Sequence, residues 1–144
     1  MTRIDPNAVT IRDVRTYPLK SFQAEGTLVF MERERPVPFE IARVFCVTSV
    51  TPGAMRGDHA HKQCKQALCC IRGQVSVLCD DGREKQRFEL STPNTLLYVP
   101  PMIWASETYA TEDTVLLVLA DLPYDAADYL REYDEYLALR GVTG

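Results

Sequence analysis

Short apolar stretches separated by turn residues recur along most of the chain, which is the hydrophobic pattern of a β-protein. In residues 74–79 polar and apolar positions alternate, and the tight-turn sequence Asp-Asp-Gly follows directly at 80–82. Successive side chains of a strand point to opposite faces, so this alternation predicts a half-buried strand that enters a hairpin. Residues 41–50, rich in β-branched and aromatic side chains, and the almost wholly apolar residues 114–120 also predict strands.

Other segments have the same character and the same punctuation by glycine, proline and aspartate. We predict further strands in residues 9–14, 27–31, 67–71, 83–90 and 95–99.

The period changes only in the tail, where apolar and aromatic residues recur at helical spacing. These residues are Ala127, Leu130, Tyr133, Leu137 and Arg140, and a glycine follows them. This spacing predicts a C-terminal helix over about residues 125–140. We expect the tail tyrosines to pack that helix on the β-domain or on a partner; they are Tyr124, Tyr129 and Tyr133.

Many short strands and one terminal helix indicate an all-β protein, either a small barrel or a double-sheet jelly roll, with a C-terminal α-helix. Strands and helices do not alternate, and the chain has no glycine-rich nucleotide-binding motif. We predict a single domain over residues 1–144, with its core at about 10–120.

The composition limits the classes of partner. The chain has 144 residues, of which 46% are hydrophobic and 25% charged, and its formal net charge is -4. An acidic chain is not expected to bind nucleic acid or an anionic membrane as its main partner. The sequence has no run of about 18 apolar residues and no apolar leader, so we expect a cytoplasmic protein without a membrane span.

The five cysteines are an odd number and show no Cys-x-x-Cys spacing. This usage favours ordinary core thiols in a reducing compartment over disulfides or a zinc site.

The two histidines of the chain, His59 and His61, stand one residue apart between two apolar segments. In a strand, residues i and i+2 point to the same face, so both imidazoles are expected on one side of a sheet. Two imidazoles that converge on one cavity suit either metal binding or proton transfer.

The spacing around this pair resembles the first cupin motif, G-x5-H-x-H-x3,4-E-x6-G, with Gln66 in place of the glutamate and Gly73 as the last glycine. In the segment that resembles the second cupin motif, Ala105 takes the place of its histidine. Two of the four ligands of a metal cupin are therefore replaced. We expect no metal and no other cofactor, because a divalent metal needs enough deprotonated ligands.

Four longer segments resemble the cupin-type sugar 3,4-ketoisomerase family that acts on dTDP-4-keto-6-deoxyglucose. They are Arg-Gly-Asp-His-Ala-His-Lys at 56–62, the hairpin at 73–82, Leu-Tyr-Val-Pro-Pro-Met-Ile-Trp at 97–104, and the tail at 118–133. The resemblance implies a cupin jelly roll (a double-stranded β-helix), a dTDP-linked 4-keto-6-deoxy sugar as substrate, a place in deoxyamino-sugar biosynthesis, and a homodimer whose subunits exchange N-terminal strands.

The reaction of that family moves a ketone from C4 to C3 of the hexose through an enediol. An imidazole whose pKa is near 6.5 can remove and return a carbon proton at neutral pH. His59 and His61 are therefore the predicted catalytic residues, and the resemblance favours His61 as the principal base. Which histidine performs which step stays open at the level of the sequence.

Candidate substrate-binding residues lie in and around the same segments. Arg56 and Lys62 are candidates for the diphosphate, since cations bind phosphate oxygens. Arg43 alternates with Val44 on a predicted strand and is a candidate to point into the substrate cavity. Gln66 is a candidate partner of a sugar hydroxyl, and Tyr98 and Trp104 are candidates for stacking on the thymine.

The chain departs from the family pattern at two places. Ala105 stands where family members usually carry His or Arg, and Phe45 and Cys46 stand where many carry tyrosines. Two alternatives therefore remain open: a nucleotide-sugar epimerase on the same scaffold, and a non-catalytic cupin that binds a sugar nucleotide.

Overall fold

The computed structural model describes residues 5–142, and they form fourteen strands and one α-helix. The N-terminal part contains β1 (Arg15–Pro18), β2 (Ser21–Ala24), β3 (Gly26–Val29), β4 (Glu32–Arg33), β5 (Pro36–Val37) and β6 (Arg43–Val47). The middle contains β7 (Met55–His61), β8 (Gln66–Arg72), β9 (Val75–Asp80), β10 (Lys85–Leu90) and β11 (Thr95–Val99). The last elements are β12 (Trp104–Tyr109), β13 (Val115–Ala120), β14 (Tyr129–Leu130) and α1 (Tyr133–Leu139).

Two five-stranded sheets make up the body of the fold. The first sheet has the strand order β1-β11-β8-β13-β6, and the second has the order β10-β9-β12-β7-β14. All pairs within these two sheets are antiparallel. Two facing antiparallel sheets with a short helix at the C-terminus confirm the predicted all-β, cupin-like architecture.

The main core lies between the two sheets because their inner faces are apolar at alternate positions. The second sheet contributes Val75, Val77 and Cys79 from β9, all fully buried. The first sheet contributes Leu68 and Cys70 from β8, with Leu116 and Val118 from β13. The outer face of the first sheet is also covered, by a cluster that includes Leu19, Val37 and Phe39. This double cover explains why β8 and β13 are nearly continuous apolar runs.

The C-terminal helix closes one end of the second sheet. Tyr136 is completely buried, and its hydroxyl lies 2.9 Å from the carbonyl oxygen of Asp80 and 2.8 Å from that of Met102. Tyr133 donates a 2.6 Å hydrogen bond to the Asp80 carboxylate. The helix therefore packs on the sheet as expected, but through polar contacts that the apolar spacing did not indicate.

Two predicted elements differ from the structure. Residues 9–14 do not form a strand, because Thr10 caps a 3-10 turn at Ile11–Asp13 through a reciprocal capping box. The helix is shorter than the predicted 125–140, since Asp125 caps a 3-10 turn at Ala126–Asp128. Tyr129–Leu130 then pairs with β7, and this backbone pairing holds the segment extended.

Other predictions from composition concern the cysteines and the membrane. Cys64, Cys69, Cys70 and Cys79 are buried, Cys46 is exposed, and all five are free thiols. Within residues 5–142, no helix has the length and apolar character needed to cross a membrane.

Candidate active site

A cavity of about 340 Å³ opens between the two sheets, on the side where β6 and β14 are the edge strands. Its lining comes from both sheets and from the residue after β14. The polar and aromatic lining residues are Arg43, Phe45, Arg56, His59, Gln66, Glu107, Tyr109, Tyr129 and Arg131.

Both histidines project from the inner face of β7 and form one aromatic cluster with a tyrosine. The ring centroids of His59 and His61 are 5.0 Å apart in an edge-to-face arrangement. The Tyr129 ring lies 4.9 Å from His59 and 4.4 Å from His61. His59 lines the cavity directly, whereas His61 is only 8% exposed and lies behind His59 and Tyr129.

His61 is held by a carboxylate that the sequence interpretation did not single out. Its Nδ1 lies 3.1 Å from Oδ2 of Asp128. The same carboxylate accepts hydrogen bonds from the backbone N–H groups of Gln63 at 2.8 Å and Cys64 at 3.2 Å. Because an ionised carboxylate only accepts, Nδ1 of His61 carries the proton and Nε2 presents a lone pair.

Nε2 of His61 has no hydrogen-bond partner among the described residues, although it is buried. A buried polar atom without a partner costs free energy, and such atoms are found where a protein keeps a group ready for a ligand or a reaction. Asp128 thus orients His61 so that its basic nitrogen has no hydrogen-bond partner among the described residues.

Burial also sets the protonation states of the pair. Desolvation lowers the pKa of His59 to about 4, and the neighbouring His61 adds to this effect. Burial lowers the pKa of His61 below 6.5 as well, while its hydrogen bond to Asp128 partly opposes the change. Both imidazoles are therefore neutral at pH 7, the form in which a histidine acts as a base.

A β-bulge in β7 brings Arg56 to the same face as the histidines. Ala105 of β12 pairs with His59, the next residue pairs with Gly57, and Asp58 is left as the extra residue. Gly57 and Asp58 both have positive φ angles, 78° and 60°. In a regular strand, residues three apart point to opposite faces, so the extra residue is what turns Arg56 into the cavity.

The bulge is fixed from outside the cavity by Trp104. Its indole N–H donates a 2.9 Å hydrogen bond to Oδ1 of Asp58. The indole packs edge-on against Tyr133, with 5.1 Å between the ring centroids. Trp104 belongs to the helix cluster, the apolar group of Ala60, Met102, Trp104, Leu130 and Tyr136 beneath α1. Through its bond to Asp58 it helps to direct Arg56 into the cavity.

Three guanidinium groups surround the cavity. Arg43 lies over the Phe45 ring at 4.5 Å and over the Tyr124 ring at 5.3 Å. Arg131 lies over the Tyr129 ring at 4.4 Å. Together with Arg56 they give this side of the protein a positive charge, although the whole chain is acidic.

The predicted substrate-binding residues divide into two groups. Arg43, Arg56 and Gln66 line the cavity beside His59. Lys62, Tyr98 and Trp104 do not, contrary to our expectation. Lys62 is exposed and lies near Gln63 and Met102 at another surface depression.

The alternation of side chains along a strand explains why Tyr98 and Trp104 lie outside the cavity. Tyr98 stands between the core residues Leu97 and Val99, so it points to the outer face of the first sheet. There its ring lies 6.2 Å from that of Phe39. Trp104 precedes Ala105, which packs on the core, and therefore points outward to the helix.

The sequence interpretation missed four residues of the site: Glu107, Asp128, Tyr129 and Arg131. The last three lie in the tail at 118–133 that carried the family resemblance, so a signal for them existed. They were overlooked because the tail was interpreted as a helix. Glu107 had no such signal, since only its inward position on β12 distinguishes it from an exposed glutamate.

Among residues 5–142, one group of side chains has the spacing of metal ligands: His61, Cys64 and Asp128, whose ligand atoms all lie within 4.8 Å of one another. The Cys64 thiol donates to the carbonyl of Lys65, and burial raises its pKa to about 11. Zinc and similar metals bind the thiolate, and the Asp128 carboxylate already has three donors. These contacts suit a hydrogen-bonded support for His61, and metal independence stays a prediction.

The sequence and the fold of this chain both match known proteins. Residues 10–141 match the family described as FdtA: WxcM-like, C-terminal. The TDP-4-oxo-6-deoxy-alpha-D-glucose-3,4-oxoisomerase of Aneurinibacillus thermoaerophilus is 38% identical over 117 residues, covering 81% of this chain and 84% of that protein.

Solved structures agree. The sugar 3,4-ketoisomerase QdtA of Thermoanaerobacterium thermosaccharolyticum, solved in complex with TDP, superposes with a TM-score of 0.87 at 34% identity, covering 92% of this chain and 97% of that one. A 3,4-ketoisomerase from Helicobacter canadensis superposes with a TM-score of 0.86 at 30% identity, covering 90% and 98%. The chain therefore belongs to the WxcM-like, C-terminal (FdtA) family, the family of these sugar 3,4-ketoisomerases.

Proposed function

We propose that this protein isomerises a dTDP-linked 4-keto-6-deoxyhexose to the corresponding 3-keto sugar. The observation that carries the proposal is the pair of neutral histidines at a cavity lined with arginines. His59 lies at the cavity wall, and His61 lies behind it, with Nδ1 held by Asp128 and with no hydrogen-bond partner at Nε2 among the described residues. The relatives support the substrate class, because one is a TDP-4-oxo-6-deoxyglucose 3,4-oxoisomerase and another was crystallised with TDP.

His61 is the proposed base for the carbon proton. The C3 proton is acidic because C3 neighbours the C4 carbonyl, and a neutral imidazole can accept it. As the proton moves to Nε2, the imidazolium that forms is stabilised by the Asp128 carboxylate at Nδ1. The protonated ring can then return the proton to C4, which completes the exchange between the two carbons.

His59 has a different proposed part. Its pKa of about 4 keeps it neutral throughout the working pH range. A neutral imidazole offers one N–H donor, which is suited to hydrogen bonding a sugar oxygen that gains negative charge in the transition state. Its position at the cavity wall next to His61 supports this role.

The arginines are the proposed partners of the diphosphate. Arg43, Arg56 and Arg131 border one cavity, and guanidinium groups bind phosphate oxygens through paired hydrogen bonds. Gln66, on the same cavity wall, is the proposed partner of a sugar hydroxyl. Three guanidinium groups can offset the charge of a diphosphate, so the proposed binding requires no metal ion.

A homodimer is also part of the proposal. Every residue of β2 is exposed, and Phe22 and Leu28 of the β2–β3 hairpin are 58% and 62% exposed. Such large exposed apolar side chains on a two-stranded hairpin mark an interaction surface. Light scattering should give twice the 16.3 kDa chain mass, and a value of one chain mass would contradict the dimer.

The proposed reaction is tested by incubating the purified protein with dTDP-4-keto-6-deoxyglucose and following the carbonyl carbon by NMR. Movement of the carbonyl from C4 to C3 supports the isomerase. Inversion at a ring carbon without carbonyl movement favours an epimerase, and binding of dTDP without any chemistry favours the non-catalytic alternative. Either of these two results contradicts the proposal.

A further inference from the structure

Glu107 is a carboxyl group inside the proposed sugar site that the mechanism above does not use. It lies on the inner face of β12, opposite Arg56 of β7. Two residues before it on the same face is Ala105, which lies opposite His59. Adjacent inward positions of a strand are about 7 Å apart, and the carboxyl group and the His59 imidazole accordingly line the same cavity.

The adjacent strand β7 leaves room for this carboxyl group because it has a glycine there. Gly57 stands beside it in the bulge, and a Cβ at that position would overlap the carboxylate oxygen of Glu107. Among the described residues that line the cavity, Glu107 has the one carboxyl group. Its own backbone N–H binds the carboxyl group, and no side chain of residues 5–142 is recorded as a hydrogen-bond donor to it, so the carboxyl group keeps room for a further partner in the cavity.

The surroundings make Glu107 able to exchange a proton at neutral pH. Burial raises its pKa from 4.5 to about 7, while Arg56 limits the rise. The other titratable groups that face it are Cys79 of β9 and Tyr109 of β12. Burial raises the pKa of both, to about 12 for Cys79, so neither competes for the proton.

The proposed reaction needs two proton movements, and His61 accounts for only one. The carbon proton moves from C3 to C4, and a second proton moves from the oxygen on C3 to the oxygen on C4. His59 does not suit the second movement, because with a pKa of about 4 its ring is neutral at pH 7 and carries no acidic proton to transfer. Ala105 has no proton to give either. An acid–base group next to both oxygens is required.

We infer that Glu107 carries the oxygen proton, an inference that rests on the proposed function. While His61 takes the C3 proton, the C3–H bond breaks, the C3=C4 bond forms, and the Glu107 carboxylic acid gives its proton to the C4 oxygen. In the second half the Glu107 carboxylate takes the proton from the C3 oxygen, and His61 returns its proton to C4. C3 is oxidised and C4 is reduced, so both groups are regenerated and no co-reactant is consumed.

The test is Glu107→Gln, compared with wild type in deuterated water with dTDP-4-keto-6-deoxyglucose. The amide keeps the size of the side chain and can donate a hydrogen bond to the C4 oxygen, but it cannot pass a proton on. We expect deuterium exchange at C3 to remain within about tenfold of wild type, while 3-keto product formation falls by about 10²-fold or more. Glu107→Asp, which keeps a carboxyl group, should recover part of the loss.

Glu89→Gln is the matched control, since Glu89 is an exposed carboxylate on β10, outside the cavity, that accepts hydrogen bonds from Ser76 and Gln74. This control should isomerise at the wild-type rate. Two results would overturn the inference alone while the wild type is active. One is product formation by Glu107→Gln within threefold of the wild-type rate. The other is an equal fall in C3 exchange and product formation in this variant. A wild-type protein that forms no 3-keto sugar would overturn the proposed function and this inference with it.

Discussion

Nδ1 of His61 lies 3.1 Å from a carboxylate oxygen of Asp128, a residue 67 positions later in the chain. The contact joins β7 to the segment that leads into β14, and it is supported by two backbone N–H groups that bind the same carboxylate. The tautomer of His61, the direction of its free nitrogen and its basicity all depend on this pair.

The first prediction concerns the charge of Asp128. In Asp128→Asn the amide cannot stabilise an imidazolium as a carboxylate does, so we expect turnover to fall by about 10²-fold or more with little change in KM. Steady-state kinetics with dTDP-4-keto-6-deoxyglucose measures both. Asp121→Asn is the control, because Asp121 also accepts a backbone N–H, from Lys65 at 2.7 Å, but does not contact His61. Equal losses in the two variants would contradict the role of Asp128.

The second prediction concerns pH. His61 must be neutral to accept a proton, and burial places its pKa below 6.5, so kcat/KM should be maintained down to pH 6.5 and fall only below the lowered pKa. Because Asp128 raises the pKa of His61, its replacement by Asn should move this acid limb to still lower pH. A pH–rate profile measures the limb, and a shift to higher pH in Asp128→Asn would contradict the assignment.

The third prediction concerns the bulge glycine. Gly57 and Gly53 both have positive φ angles, 78° and 81°, but a Cβ at Gly53 meets nothing within 4 Å, whereas one at Gly57 overlaps Glu107. Gly53→Ala should cost about 1–2 kcal/mol of unfolding free energy from backbone strain alone. Gly57→Ala should cost at least ~1 kcal/mol more, since Glu107 must move. Urea unfolding compares them, and equal costs would show that the contact with Glu107 is loose.

The fourth prediction concerns the indole of Trp104. Trp104→Phe keeps an aromatic ring in the helix cluster but removes the donor that holds Asp58. We expect weaker dTDP binding, by about tenfold, because the bulge that directs Arg56 into the cavity is released. Calorimetric titration with dTDP measures it.

Tyr133→Phe is the control for that change. It removes a hydroxyl from the same cluster, one that binds Asp80 and not the bulge. It should lower stability while leaving dTDP affinity unchanged. If both variants bind dTDP like wild type, Trp104 has no part in positioning Arg56.

The sequence indicated the fold class and the two histidines because both follow from simple periodicity. Short apolar segments bounded by turn residues predicted most strands of the two sheets, and the i, i+2 spacing predicted that His59 and His61 lie close together, as their 5.0 Å ring separation shows. Arg56 is a different case, since regular alternation places it on the opposite face. Its inward direction depends on the bulge, which only a cross-strand register reveals.

The tail shows why the rest of the site was not predicted. Leu130, Tyr133 and Leu137 fit a helical period, but the residues before Tyr133 are held extended by pairing with β7. Asp128 therefore reaches His61 through a contact between distant segments, and local propensity contains no information about it. Tyr98 and Trp104 were predicted to line the substrate site but lie outside the cavity. Their residue type did not indicate the direction, because an aromatic residue in a strand suits either face of a sheet.

The most direct test of the account is deuterium exchange at C3 of dTDP-4-keto-6-deoxyglucose, measured by NMR in deuterated water with wild-type protein and with His61→Asn. We expect the wild type to exchange the C3 proton and form the 3-keto sugar. The variant should lose both by about 10²-fold or more while it binds dTDP with wild-type affinity. Exchange at the wild-type rate in His61→Asn would show that another group is the base, and would contradict the central claim.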